Sequence, residues 1–271
     1  MNRMIPAPEK LITLTTDFGT RDGYAGAMKG VIRQTAGDAL IHDVTHEIPA
    51  GDIRSGAWAL RTSVPFYPRG TVHVAVIDPG VGTSRAALVA AVDGQFVIGP
   101  DNGLFSWLFS EATQLRVWRL SDLSWRPSQA SNTFHGRDLF AHAAALMVQE
   151  GDVAAVCAAP IDPMIAPWAV SHPYPEETVA EVVHIDHFGN VVTNLKLPQD
   201  LDVEQLVLCL PRIDLTLEGL RRTYGEVAAG TTLALVGSHE FVEVAICQGN
   251  AAQELGIRRG DRVEIRERPP R

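Results

Sequence analysis

The sequence predicts an α/β domain followed by a smaller, β-rich domain. Three observations carry this. Strand and helix patterns alternate up to Gln149, which is the signature of an α/β layer. Prolines 160, 163, 167, 173 and 175 then crowd one stretch, where they disfavour any regular element. Beyond them the pattern is almost entirely short strands. A chain of 271 residues, 46% of them hydrophobic, has enough apolar material to build a core in each part.

In the first part, Leu11–Thr15 reads as a short buried strand. Gly23–Thr35 carries Tyr24, Met28, Val31 and Ile32 at helical spacing. Leu40–Val44 is strand-like, Ile53–Val64 helical, and Thr71–Ile77 (TVHVAVI) a strong strand. Ala87–Val92 and Gln95–Ile98 form a hairpin about Asp93-Gly94. Asp138–Gln149 is an Ala-rich helix, with Leu139, Phe140, Ala143 and Leu146 to one side. Alternation of this kind predicts a mainly parallel sheet.

The second part reads as strands at Thr178–Asp186, Val191–Leu195, Glu204–Leu210, Ile213–Leu217, Thr231–Val236, Phe241–Cys247 and Arg262–Arg268. Only Asn250–Leu255 looks helical. A small barrel or sandwich follows. The domain limits are 1–168, a Pro-rich linker 169–177, and 178–271.

With 23 basic against 32 acidic side chains the net charge is −9, which disfavours nucleic acid as a partner. Cys157, Cys209 and Cys247 stand far apart in apolar runs, as free thiols of a reducing compartment do. No apolar leader opens the chain and no run is long enough to span a membrane, so a cytoplasmic protein is expected.

In an open α/β sheet, ligands bind beyond the carboxyl ends of the strands. The first such loop holds Asp17, placed to accept from ribose hydroxyls, and Asp22, which either contacts ligand or caps the next helix. The next, Asp78-Pro79-Gly80-Val81-Gly82-Thr83-Ser84-Arg85, sets an acid and a guanidinium about a glycine turn; the pair either works on a ligand or stiffens the turn. It lacks the third glycine of a dinucleotide loop and the GK[ST] of a phosphate loop. The segment Pro100-Asp101-Asn102-Gly103 is a turn, and His135 precedes the Ala-rich helix. No metal is expected: His42 and His46 are four apart, but on a strand and turn, and HExxH is absent. No GxSxG elbow marks a serine hydrolase.

Taken in order, the blocks LTTDFG, HVAVIDPGVGTSR, IGPDNG, TFHGRD, IDHFGNVVTN and GSHEFVEVAICQGNAA resemble the S-adenosyl-L-methionine hydroxide adenosyltransferase (hydrolase) family, relatives of fluorinase and chlorinase. The resemblance spans nearly the whole chain. It implies a Rossmann-like α/β N-terminal domain, a C-terminal β-barrel, and a homotrimer with sites shared between subunits. It places the water-activating set on Asp78, Arg85 and His135, and the ribose acid on Asp17. Asn190, Ser238, Glu243 and Ile246 match adenosine-pocket positions, while Asp22, Asp186 and Phe188 match the methionine end and the adenine stack. Cys247 departs from the family's Asn.

The implied reaction is hydrolysis of S-adenosyl-L-methionine at ribose C5′ to adenosine and L-methionine, the methionine derivative being substrate and not cofactor. Two other readings stay open: a non-catalytic adenosine or S-adenosylmethionine binding protein, and a chlorinase-like halogenase. The resemblance argues against the halogenase, because halogenases carry Tyr at the position of Asp78 and no His at that of His135.

Overall fold

The structure, a computed structural model, describes residues 6–120, 130–176 and 178–268. The first five residues of the N-terminal segment, the last linker residue and the final three residues of the C-terminal domain lie outside the described residues. The chain divides into two compact units, Met1–Ala169 and Val170–Arg271.

In the first unit, β1 (Leu11–Thr16), β2 (Leu40–Thr45) and β3 (Val72–Val76) are followed by the hairpin β4 (Ala87–Val92) and β5 (Gln95–Pro100). Next come β6 (Leu115–Leu120) and β7 (Cys157–Pro160). The sheet order is β2-β1-β3-β5-β4-β6-β7. The strands from β2 to β5 pair in parallel, whereas β5-β4-β6-β7 is antiparallel. The expectation of a mainly parallel sheet is therefore corrected to a mixed one. The tight Asp93-Gly94 turn, with both residues at positive φ, folds β4 straight back on β5 and ends the parallel run.

The sheet is covered on both faces, and strand alternation decides which residue meets which layer. Val72, Val74 and Val76 pack with Met28, Ile32, Phe140 and Met147, whereas Ala75 and Ile77 pack with Leu60, Phe105 and Leu108. The first layer comes from α1 (Tyr24–Thr35) and α4 (His142–Glu150), the second from α2 (Ile53–Ser63) and α3 (Ser106–Ser110). Asp52 caps α2 by accepting from the Ser55 amide. The Ala-rich helix differs from expectation at its start: Gly136–Ala141 is a π-helical turn running into α4.

The second unit contains β8 (His172–Pro173), β9 (Val179–Ile185), β10 (Val191–Lys196), β11 (Leu206–Leu210), β12 (Leu215–Glu218), β13 (Thr232–Val236), β14 (Phe241–Ile246) and β15 (Arg262–Glu267), with the short helix α5 (Ala251–Leu255). The sheet order is β12-β11-β15-β9-β10-β14-β13, with β8 alongside β10. It nearly closes on itself, because Arg221, just past β12, donates its amide to Ala234 of β13 and bridges Leu235. Val182, Leu208, Val242, Val244 and Val263 fill the inside.

The proline-rich stretch is not free of regular structure. Pro160 closes β7 and Pro173 lies in two-residue β8, at an edge and off the main strand path, where a missing N–H costs no ladder bond. Among the described residues no helix is long and apolar enough to cross a membrane.

Candidate functional site

Two successive turns follow β3. The Val81 amide donates to Asp78 O (3.1 Å) and the Thr83 amide to Gly80 O (3.1 Å), with Gly82 at φ +79°, a conformation that favours glycine. This doubling brings Arg85 back over Asp78. Its Nε lies 3.0 Å from both carboxylate oxygens, and its NH2 group also donates to Oδ2. The pair is enclosed, the side chains being 4% exposed for Asp78 and 11% for Arg85. The guanidinium sits over the Phe140 ring at 5.4 Å and donates through NH2 to His135 Nδ1 at 2.8 Å. Asp78, Arg85 and His135 therefore form one line with the arginine in the middle.

That line has a direction. A guanidinium only donates, so Nδ1 of His135 is an acceptor and the neutral ring carries its hydrogen on Nε2. His135 immediately precedes the π-turn, whose tight start brings Gly136 against Phe18 and Met28.

Asp17 follows β1 and accepts from the Gly51 amide at 2.8 Å. It lines, with Asp78 and His135, a cavity of about 850 Å³. Phe18, Tyr24 and Phe134 form one wall, their rings meeting edge to face at 5.3 to 6.0 Å. Arg137 stacks on Phe134 at 4.9 Å and is held by Asp138 through Nε (2.6 Å) and NH2 (2.8 Å). Asp22 is exposed; it neither lines the cavity nor caps α1, whose cap residue is Gly23. Asn102 is a turn residue, donating to Ile77 O and accepting from the Leu104 amide.

In the second unit, Asp186 organises the hairpin between β9 and β10. It accepts from the amides of Phe188 (2.9 Å) and Asn190 (2.8 Å) and from the Asn190 side chain (3.0 Å). Phe188 stands at the tip, 72% exposed. Glu243 on β14 is 6% exposed and takes a hydrogen bond from the Tyr224 hydroxyl. Burial, with the nearby Asp186 charge, pushes the Glu243 carboxyl above its usual range, against the pull of Tyr224. The tyrosine is itself pushed up, by burial and then by Glu243. Ser238 is exposed in the turn after β13, while Ile246 and Cys247 are buried.

Tyr224 and the ring wall of Phe18, Tyr24 and Phe134 are absent from the candidates read off the sequence. Tyr224 lies in a polar, turn-rich stretch without period, and no linear signal points to it. The paired histidines have structural partners instead: His46 Nδ1 meets the Thr16 hydroxyl, and His42 lies beside Tyr67. Among the described residues no group of three His, Cys, Asp or Glu side chains could hold a metal ion.

Two family models match the chain: the SAM hydroxide adenosyltransferase N-terminal domain over residues 12–157, and its C-terminal domain over 180–264. The (R)-S-adenosyl-L-methionine hydrolase of Salinispora tropica is 37% identical, covering 96% of this chain and 98% of its own. That of Methanocaldococcus jannaschii is 33% identical, over 94% and 95%. A fluorinase from Nocardia brasiliensis is more distant at 23%, over 94% and 96%. The crystal structure of an uncharacterized conserved protein from Thermotoga maritima superposes with a TM-score of 0.83 at 31% identity, covering 94% of this chain and 99% of that one.

Proposed function

The chain belongs to the SAM hydroxide adenosyltransferase family, and from that premise we propose that it hydrolyses S-adenosyl-L-methionine at ribose C5′, releasing adenosine and L-methionine. The observation that carries the reading is the Asp78–Arg85–His135 line, whose two ends, Asp78 and His135, line one cavity with Asp17.

Water attacks C5′ opposite the sulfur, and the sulfonium departs as a neutral thioether. Such a leaving group needs no acid, so the chain's task is to orient water and remove its proton. Arg85 and the Nε2–H of His135 are donors, suited to hold the oxygen as negative charge grows on it. With His135 Nδ1 occupied by Arg85, the Asp78 carboxylate is the acceptor for the proton. Asp17 holds the ribose diol, and the aromatic wall keeps bulk water from the sulfonium.

The same reading takes the first unit as a Rossmann-like domain over 1–168, the second as a β-barrel over 178–271, and the working compartment as the cytoplasm. It makes the assembly a homotrimer, in which Asp186, Phe188, Asn190, Ser238, Glu243 and Ile246 serve the adenosine and methionine ends of the ligand. Sedimentation at micromolar concentration tests this: a fully active monomer would overturn it.

The deciding experiment runs the reaction in oxygen-18 water and weighs the products. Label in the adenosine 5′-hydroxyl, with unlabelled methionine, is the expected result. Release of adenine or of methylthioadenosine refutes attack at C5′. Recovery of intact substrate supports the binding-protein reading, and chlorinated adenosine formed in excess chloride supports the halogenase.

A further inference from the structure

The segment that presents Asp17 is gripped at both ends by one histidine outside the cavity lining. Thr16 is fully buried and His46 is 5% exposed. The Thr16 hydroxyl oxygen accepts from the Phe18 amide at 3.2 Å, so its own hydrogen is available to His46 Nδ1, 2.8 Å away. With Nδ1 as that acceptor, Nε2 carries the ring hydrogen and lies 3.1 Å from Asp43 Oδ1, close enough for an ion pair but without hydrogen-bond geometry. Asp43 is held in turn by Lys29 at 2.6 Å. At the other end of the segment, the Gly19 amide donates to the main-chain oxygen of His46 at 2.7 Å. Asp17 lies between these two anchors, with its Oδ2 on the Gly51 amide.

A second feature leads to the same place. The β1–β2 register slips by one residue between the pairs Leu14–Asp43 and Thr15–Thr45. Such a bulge bends its strand and re-aims the residues after it. Here the residue that follows the strand is His46.

We propose that Thr16 and His46 are positioning residues that fix Asp17 for a vicinal diol, the ribose of the adenosyl group. The arrangement of hydroxyl, imidazole and carboxylate is not a nucleophilic one, because the Thr16 oxygen is buried and already accepts a main-chain hydrogen. Both residues act through Asp17 and touch no reacting atom, so they govern binding and leave the chemical step alone. The inference rests on the proposed ribose role of Asp17.

The test compares adenosine with 2′,3′-dideoxyadenosine, which lacks the diol, by calorimetric titration. In Thr16→Val and His46→Gln, adenosine should bind about tenfold more weakly, the loss expected for one misplaced hydrogen bond to a charged group. Dideoxyadenosine should bind as to the parent protein. Thr16→Ser and His46→Asn keep a hydroxyl and an acceptor at the Nδ1 position, and should restore adenosine binding. In turnover assays KM rises with kcat unchanged. Equal weakening toward both nucleosides, or weakening toward neither, overturns the proposal. The His46→Asn against His46→Gln contrast keeps it testable should Thr16→Val fold poorly. Asp17→Asn run alongside separates the levels. If it still distinguishes the two nucleosides, the ribose reading itself falls. If it does not, and the Thr16 and His46 variants do, only this inference falls.

Discussion

Two carboxylates are largely withdrawn from solvent, Asp78 in the first unit and Glu243 in the second, yet their partners differ in kind. Asp78 faces the fixed charge of Arg85, which continues to His135. Glu243 faces the neutral hydroxyl of Tyr224, and burial, with the charge of Asp186 added to it, raises its pKa. The same functional group is thus held in two electrostatic settings. In the first, charge is fixed in place beside a cavity, which suits the proposed proton transfer. In the second, a carboxyl shifted toward its neutral form offers hydrogen bonding, which suits recognition.

The largest expected effect tests that division directly. Asp78→Ala should lower kcat by roughly 10²–10⁴-fold, the range for a lost proton-transfer group, and His135→Ala by roughly 10²–10³-fold, the range for a lost donor to developing charge, while KM changes little. Glu243→Gln or Tyr224→Phe producing a comparable fall in kcat would erase the distinction.

Next comes stability. Arg85→Ala strands a carboxylate that is 4% exposed, and calorimetry should register a loss of about 3–5 kcal/mol. Tyr224→Phe should cost less, about 1–3 kcal/mol, because it takes one hydrogen bond from the buried Glu243 carboxyl and removes no opposite charge.

A third buried group sharpens the contrast by having neutral partners alone. His73 lies between Thr13 and Gln95, whose side-chain amide donates to Val64 O and Tyr67 O and so turns its oxygen to the ring. Burial depresses the His73 pKa to about 4. The unfolded chain takes up the proton first, near pH 6.5, so this contribution is complete above pH 6.5. It is lost as pH falls from 6.5 toward 4, by at most about 3 kcal/mol. Urea unfolding of His73→Gln across that window should show a flatter pH dependence.

The smallest effect belongs to Glu243→Gln at neutral pH. A carboxyl whose folded pKa is raised loses stability as pH rises through it, so removing the ionisable group should leave Tm unchanged or slightly higher. A large drop in Tm would mean that Glu243 is held as a charge.

The elements with strong apolar period are legible in the chain: β3 from TVHVAVI, and α1 from Met28 and Ile32. What escapes has a physical cause. In β6, Arg116 and Arg119 interrupt any clean alternation because the strand is only half covered. The five residues of α3 are too few for a helical period to emerge. Both β7 and β8 contain prolines that read as breakers and are harmless where they lie. For the site, Asp17, Asp78 and Arg85 are visible because they sit in ordered blocks after strands, and His135 because its block opens a helix. Tyr224 reaches Glu243 only through the fold of the second unit, and nothing in its own neighbours announces that.

The π-turn at Gly136–Ala141 changes how this region can vary. A π-turn is an α-helix holding one residue more than its turn requires, so its vulnerability lies in length and not in composition. Any substitution there leaves the backbone count intact. Deleting one residue lets the segment relax into a regular α-turn continuous with α4, keeping its helix content and core-facing alanines. The residues before the deletion would then be rotated by about 100° about the helix axis. His135 would swing away from Arg85 while the protein stayed folded. A frame one residue shorter is thus a route to an intact scaffold without its imidazole in place, which no single side-chain exchange in the turn offers.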